Sequence, residues 1–166
     1  MRKLIWPVLF LLLLLLRGAG SSFYTGWFSF DLTLVLLYAY ALIRGSAYGA
    51  AAGAGTGFLQ DAMTVGIFGF HMLTRTAAGY IIGMTKEKVV KDKYSYHIAA
   101  VGLCSLLLRI LLGAVELIRT GGSFDFLVPF AWNSLGYCAG NMLLTVPVLL
   151  AARIIDEWIR EEDISY

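Results

Sequence analysis

Apolar residues run through this chain in blocks longer and more continuous than the stripes of a water-soluble domain. The first block is Leu4–Leu16, preceded by Arg2 and Lys3 and followed by Arg17. A second spans Trp27–Ile43, with Asp31 near its start and Arg44 at its end. The third, Ala47–Val65, is built from small residues, and the fourth, Gly66–Met84, carries His71 and Arg75 within it. After the hydrophilic loop Thr85–Tyr94 come Tyr96–Ile118, holding Arg109 and Glu116, and Phe126–Ala152. Blocks of this length match the roughly 20 apolar residues that carry a helix across a bilayer. The pattern predicts an all-α integral membrane protein, a bundle of about six transmembrane helices forming one domain over residues 1–152. Residues 153–166 are expected to form a short cytoplasmic amphipathic tail, with Ile154, Ile155, Trp158 and Ile159 on one helical face. Asp156, Glu157, Arg160 and Glu161 take the other face, whose acidity argues against tight binding to anionic lipid.

Composition sharpens this picture. Of 166 residues, 59% are hydrophobic and only 14% charged, with a mean hydropathy of +0.76; a soluble domain carries about 25% charged residues. The first block is short enough to be a signal-peptide core, so residues 1–20 are alternatively a cleaved leader. Arg17, standing between the apolar core and Gly18-Ala19-Gly20, favours a retained helix whose arginine reaches the headgroups.

Charge placement gives the orientation. With six spans and a cytosolic N-terminus, nine cations face inward: Arg2, Lys3, Arg44, Lys86, Lys88, Lys91, Lys93, Arg153 and Arg160. Only Arg17 and Arg119 face outward, and Arg75 and Arg109 are embedded. Positive residues gather on the cytoplasmic side, which places both termini there, in the plasma membrane. The net charge of +2 is too small and too local for a nucleic-acid footprint.

Gly45, Gly49, Gly53 and Gly57 recur every four residues and so lie along one side of a helix. Without side chains there, a neighbouring backbone can come close; internal packing is the first reading, a partner surface the second. Asp61 continues the spacing. A carboxylate near the bilayer core is by default a functional candidate, but capping the turn into the fourth span, with Gly66 and Gly69, is the favoured role. Arg75 and Arg109 fall near the middles of their predicted spans, where each costs about 2.5–3.5 kcal/mol. No carboxylate is expected at their depth: Asp61 lies outward of Arg75, and Glu116 two turns from Arg109. His71 shares a face with Arg75 but has no second ligand in reach by pattern, so no metal site is expected. Asn133 and Asn141 are further polar groups needing partners. Cys104 and Cys138 sit in apolar segments and read as small hydrophobes.

No nucleophile elbow, HExxH motif or phosphate loop is present, and no membrane segment holds a close carboxylate pair. Neither an enzyme nor a cofactor is expected.

The stretches FDLTLVLLYAYALIRG and GAAAGAGTGFLQDAMTVGIFGFHMLTRTAAGYIIG carry a resemblance. The glycine-rich helix closed by Gly57-Phe58-Leu59-Gln60-Asp61, the Gly66-Ile67-Phe68-Gly69 turn and the span ending Gly79-Tyr80-Ile81-Ile82-Gly83 resemble the bacterial rod shape-determining MreD family. Phe30 stands where family members often carry proline. The resemblance adds Gly66, Gly69, Gly79 and Gly83 to the candidate packing or partner surface. It implies a non-catalytic component of the cell-elongation machinery, embedded in membrane lipid. Such proteins associate with the bitopic protein MreC and, through it, connect actin-like MreB to the peptidoglycan polymerase RodA and its transpeptidase. The family's fold is similar to the substrate-binding S components of energy-coupling-factor vitamin transporters, which makes a vitamin- or metal-capturing subunit the alternative. A third reading, a membrane enzyme using Asp61 and Arg75, lacks a second acid or a metal.

Overall fold

A computed structural model describes residues 4–19, 29–64, 67–86, 93–122 and 124–164. Among these residues there are six helices and no strand: α1 (Ile5–Ala19), α2 (Leu32–Arg44), α3 (Ser46–Met63), α4 (Phe70–Met84), α5 (Tyr94–Arg119) and α6 (Leu127–Ile164). The protein is therefore all-α, as its hydropathy blocks predict. Two helices, α5 and α6, are long and apolar enough to cross a membrane, while α1 and α2 are apolar but shorter.

The core is centred on α2. Leu34, Val35, Leu36, Leu37, Tyr38 and Ala39 are all buried, so this helix is covered on every side and can be apolar all round. It packs against α1, α3, α4 and α6. From α1, Trp6, Phe10 and Leu14 are buried; their four-residue spacing makes one stripe, and Trp6 stacks at 4.9 Å on Tyr40.

Gly45 ends α2 and begins α3 at φ +95°, a left-handed value that favours glycine. It therefore serves as the turn between two helices, where its backbone also lies against Gly83 at the end of the glycine stripe. The fourth helix begins at Phe70, four residues later than the hydropathy indicates, because Gly69 at φ +95° holds the turn before it. Gly66 lies outside the described residues.

The tail continues the last helix, as its periodicity predicts, but departs from expectation in where Asp156 points. Helix α6 continues without a break to Ile164. Its inward stripe, Asn141, Thr145, Leu149, Ala152, Asp156 and Ile159, stays buried past Ala152, where the apolar block ends. Asp156 thus faces the bundle together with Ile159, while Ile154 and Trp158 are exposed. Amphipathic spacing alone put the aspartate outside; two arginines compensate its charge and let it turn inward.

Candidate functional site

Asp31 opens α2 as its N-cap, and its Oδ1 accepts the Leu34 N–H at 3.1 Å. This satisfies one of the backbone donors that a helix start leaves without a partner. The Asp31 N–H donates to Asn141 Oδ1 at 2.6 Å, and Asn141 Nδ2 donates to Ser105 Oγ at 2.9 Å. Arg75 Nη2 donates to Asp31 Oδ2 at 2.6 Å, with the Tyr137 hydroxyl donating to the same oxygen at 3.3 Å. Asp31, Arg75, Asn141 and Ser105 are all at most 4% exposed. One acid thus ties the start of α2 to α4, α5 and α6 at a single buried point.

This pairing corrects the expectation that Arg75 has no carboxylate at its depth. Since α4 starts at Phe70, Arg75 stands about 7 Å from the helix start, not at mid-span. That is the end at which α2 also begins, with Asp31 at its cap. A buried pair of this kind is held in place because removing either member strands the other's charge. Arg75 Nη1 is buried and has no partner among the described residues, so this guanidinium can still hold one more acceptor.

Asp61 is engaged elsewhere, at the start of α4. Its Oδ2 accepts the Gly69 and Met72 N–H groups at 3.0 and 2.9 Å, and its Oδ1 accepts the His71 N–H at 3.0 Å. His71 Nδ1 also lies 2.8 Å from Oδ1. Gly69, the N-cap of α4, has no side chain to give, so an aspartate from the end of α3 caps the helix in its place.

Between these two anchors α3 and α4 run antiparallel with their backbones in contact. A Cβ placed on Gly49 would strike Gly79, one on Gly53 would strike Arg75 and Thr76, and one on Gly57 would strike His71 and Met72. From α4, Gly79 meets Gly49 in return, and Gly83 meets Gly45 and Ser46. Each four-residue step along α3 is matched by a four-residue step back along α4. The close approach that the glycine spacing predicts is made within the chain, and Gly69, with nothing within 4 Å of its Cβ position, is a turn residue only.

Among the described residues Arg109 meets no acid. Its Nε donates to Ser134 Oγ at 2.9 Å, and its guanidinium lies 4.3 Å from the ring centroid of Phe130 and 5.5 Å from that of Tyr137. Glu116 is instead 3.6 Å from Arg119, both partly exposed. Among the described residues, no group of three or more histidine, cysteine or acidic side chains is placed to hold a metal ion.

A family model for the rod shape-determining protein MreD matches residues 1–153. The chain belongs to the MreD family. It is accordingly a membrane protein with a role in rod-shape determination. Neither a curated protein nor a solved structure matches it.

Within this MreD-family chain, sequence reasoning found Arg75, Asp61 and the α3 glycines but missed Asp31 and Asn141 as partners. The signal was partial: Asp31 opens an apolar block at the same predicted end as the block that carries Arg75, but the predicted start at Gly66 put Arg75 at mid-span. Gly140 was also missed; a Cβ there would strike Ser29 and Phe30, so it admits the strand of chain that delivers Asp31.

Proposed function

We propose that the chain is a non-catalytic scaffold in the plasma membrane, linking MreC and the cytoplasmic actin-like MreB to the peptidoglycan polymerase RodA and its transpeptidase. Family membership over residues 1–153 carries the reading. The disposition of the embedded polar groups supports it. Asp31, Arg75, Asn141 and Asp61 hold one another or cap helices, so at this end of the bundle shape and apolar faces are the main surface the protein offers. Those faces are broad on α5 and α6, where Leu107, Ile110, Ile118, Val128, Trp132 and Leu135 are exposed. In this reading all six helices lie in the membrane, both termini are cytoplasmic, and α1 is retained because Trp6, Phe10 and Leu14 pack on the bundle. The transporter-subunit alternative needs an enclosed polar cavity at the outer end. The groove at that end, lined by Val128, Trp132 and Leu135, is apolar.

Two measurements test the reading. Co-purification of the tagged chain with MreC from detergent-solubilised membranes should succeed, and absence of MreC from the eluate would overturn the scaffold. In a background with Cys104 and Cys138 replaced by alanine, Asp125→Cys should react with an impermeant maleimide in spheroplasts. Lys86→Cys should react only after lysis; the reverse result would overturn the orientation.

A further inference from the structure

A cavity of about 590 Å³ opens at the end of the bundle where α2 and α4 finish and α6 passes beyond its apolar stretch. Four cations line it: Arg44 from the end of α2, Lys86 just after α4, and Arg153 and Arg160 from α6. Among the described residues the acids on its wall are Asp156 and Glu157, so the described lining keeps a positive excess.

Asp156 organises the cations. It is 2% exposed, with Oδ1 at 2.7 Å from Arg44 Nη2 and Oδ2 at 2.6 Å from Arg160 Nη2. One buried carboxylate therefore fixes two guanidiniums and neutralises one of them. Arg44 keeps a further buried donor, Nε, with no hydrogen-bond partner among the described residues. Arg153 and Lys86, both half-buried, add charge from two sides. Guanidiniums held in place and converging with an ammonium suit a tetrahedral, multi-acceptor anion better than a planar one.

We infer that this cavity binds a phosphate group, and that an anionic phospholipid headgroup supplies it. Two observations favour lipid over a soluble phosphate. Tyr48 on the cavity wall and Trp158, next in sequence to the lining Glu157, are 62% and 47% exposed, as anchors at the headgroup level are. The cavity also continues onto apolar wall at Leu42, Ile43 and Leu149, where the first part of an acyl chain can lie. Basic pockets between membrane helices on the cytoplasmic side hold anionic headgroups in this way. The cytoplasmic placement rests on the orientation proposed above. The inward turn of Asp156, paired with Arg44 and Arg160, removes one of the acids that would have argued against such a lipid.

The test uses the full chain in detergent and native mass spectrometry, with phosphatidylglycerol, phosphatidylcholine, and glycerol 3-phosphate as separate arms. One phosphatidylglycerol per chain should be retained, preferred about tenfold over phosphatidylcholine. Lys86→Gln with Arg153→Gln should abolish the preference while a cooperative melting transition shows the chain still folded, and Lys86→Arg with Arg153→Lys should restore it. Arg119→Gln, at the opposite end, should leave it intact. Equal retention of both lipids, or a preference that survives the double glutamine variant, would overturn the site. Displacement of lipid by glycerol 3-phosphate at equal concentration would overturn the lipid source. Co-purification with MreC is measured on the same variants, so loss of lipid preference with MreC retained separates this inference from the scaffold.

Discussion

The α3–α4 hairpin and the α5–α6 pair are both antiparallel helix pairs, yet they are joined by opposite means. In the hairpin, glycines bring backbone against backbone, from Gly49 on Gly79 to Gly57 on His71 and Met72. In the α5–α6 pair, glycines make room for side chains: Gly102 faces Met142 and Gly113 faces Phe130. A few polar contacts, Ser105 with Asn141 and Arg109 with Ser134, complete that seam. The hairpin is short and weakly apolar but rigidly specified. The pair is long and apolar, and much of its surface faces outward. Membrane helices gain little from apolar contact with one another, since lipid is equally apolar, so close packing and hydrogen bonds must set their arrangement. The hairpin uses both; the outer pair has fewer of each and keeps free surface for lipid or a partner.

The largest expected effect lies where the two regions meet. Arg75→Met should strand the buried Asp31 carboxylate and cost about 3–5 kcal/mol, read as a drop in melting temperature and in membrane level. Asp31→Ala should be at least as severe, because α2 also loses its cap. Asp31→Asn combined with Arg75→Gln should recover part of the loss, and strictly additive effects would show that the pair is not coupled.

The hairpin is tested next. Gly53→Ala drives a methyl onto the backbone of Arg75 and should cost about 1–3 kcal/mol through overpacking. Gly55→Ala, on the same helix but with nothing within 4 Å, should be neutral or stabilise by up to about 1 kcal/mol. Equal melting temperatures for the two variants would refute backbone contact as the basis of the hairpin. Asp61→Ala, which uncaps α4, should destabilise by about 1–2 kcal/mol, with faster amide exchange at Gly69, His71 and Met72 as the specific readout.

The smallest effects belong to the α5–α6 pair. Arg109→Gln loses stacking worth about 0.5–1 kcal/mol, and Glu116→Gln should be silent in melting experiments, as surface ion pairs commonly are. If Arg109→Gln instead leaves stability untouched but removes rod shape, Arg109 meets a partner outside this chain, and the α5–α6 face is the surface to map.

The sequence by itself determined the helical class, the apolar blocks and the four-residue glycine spacing that packs α3 on α4. These are local properties: hydropathy is a sum over neighbours, and side-chain direction in a helix repeats every 3.6 residues. Asp61 as a cap was legible for the same reason, since it lies eight residues from Gly69. Which cation answers which acid was decided only by tertiary structure. Asp31 and Arg75 are 44 residues apart, and Asp31 and Asn141 110 apart. Their meeting depends on where each helix starts, and a four-residue error at α4 was enough to hide it. Asp156 makes the same point at the other end. Periodicity assigned it to water, and only the approach of Arg44 from α2 made a buried carboxylate the cheaper arrangement, because a charge leaves water only where another is already held to meet it.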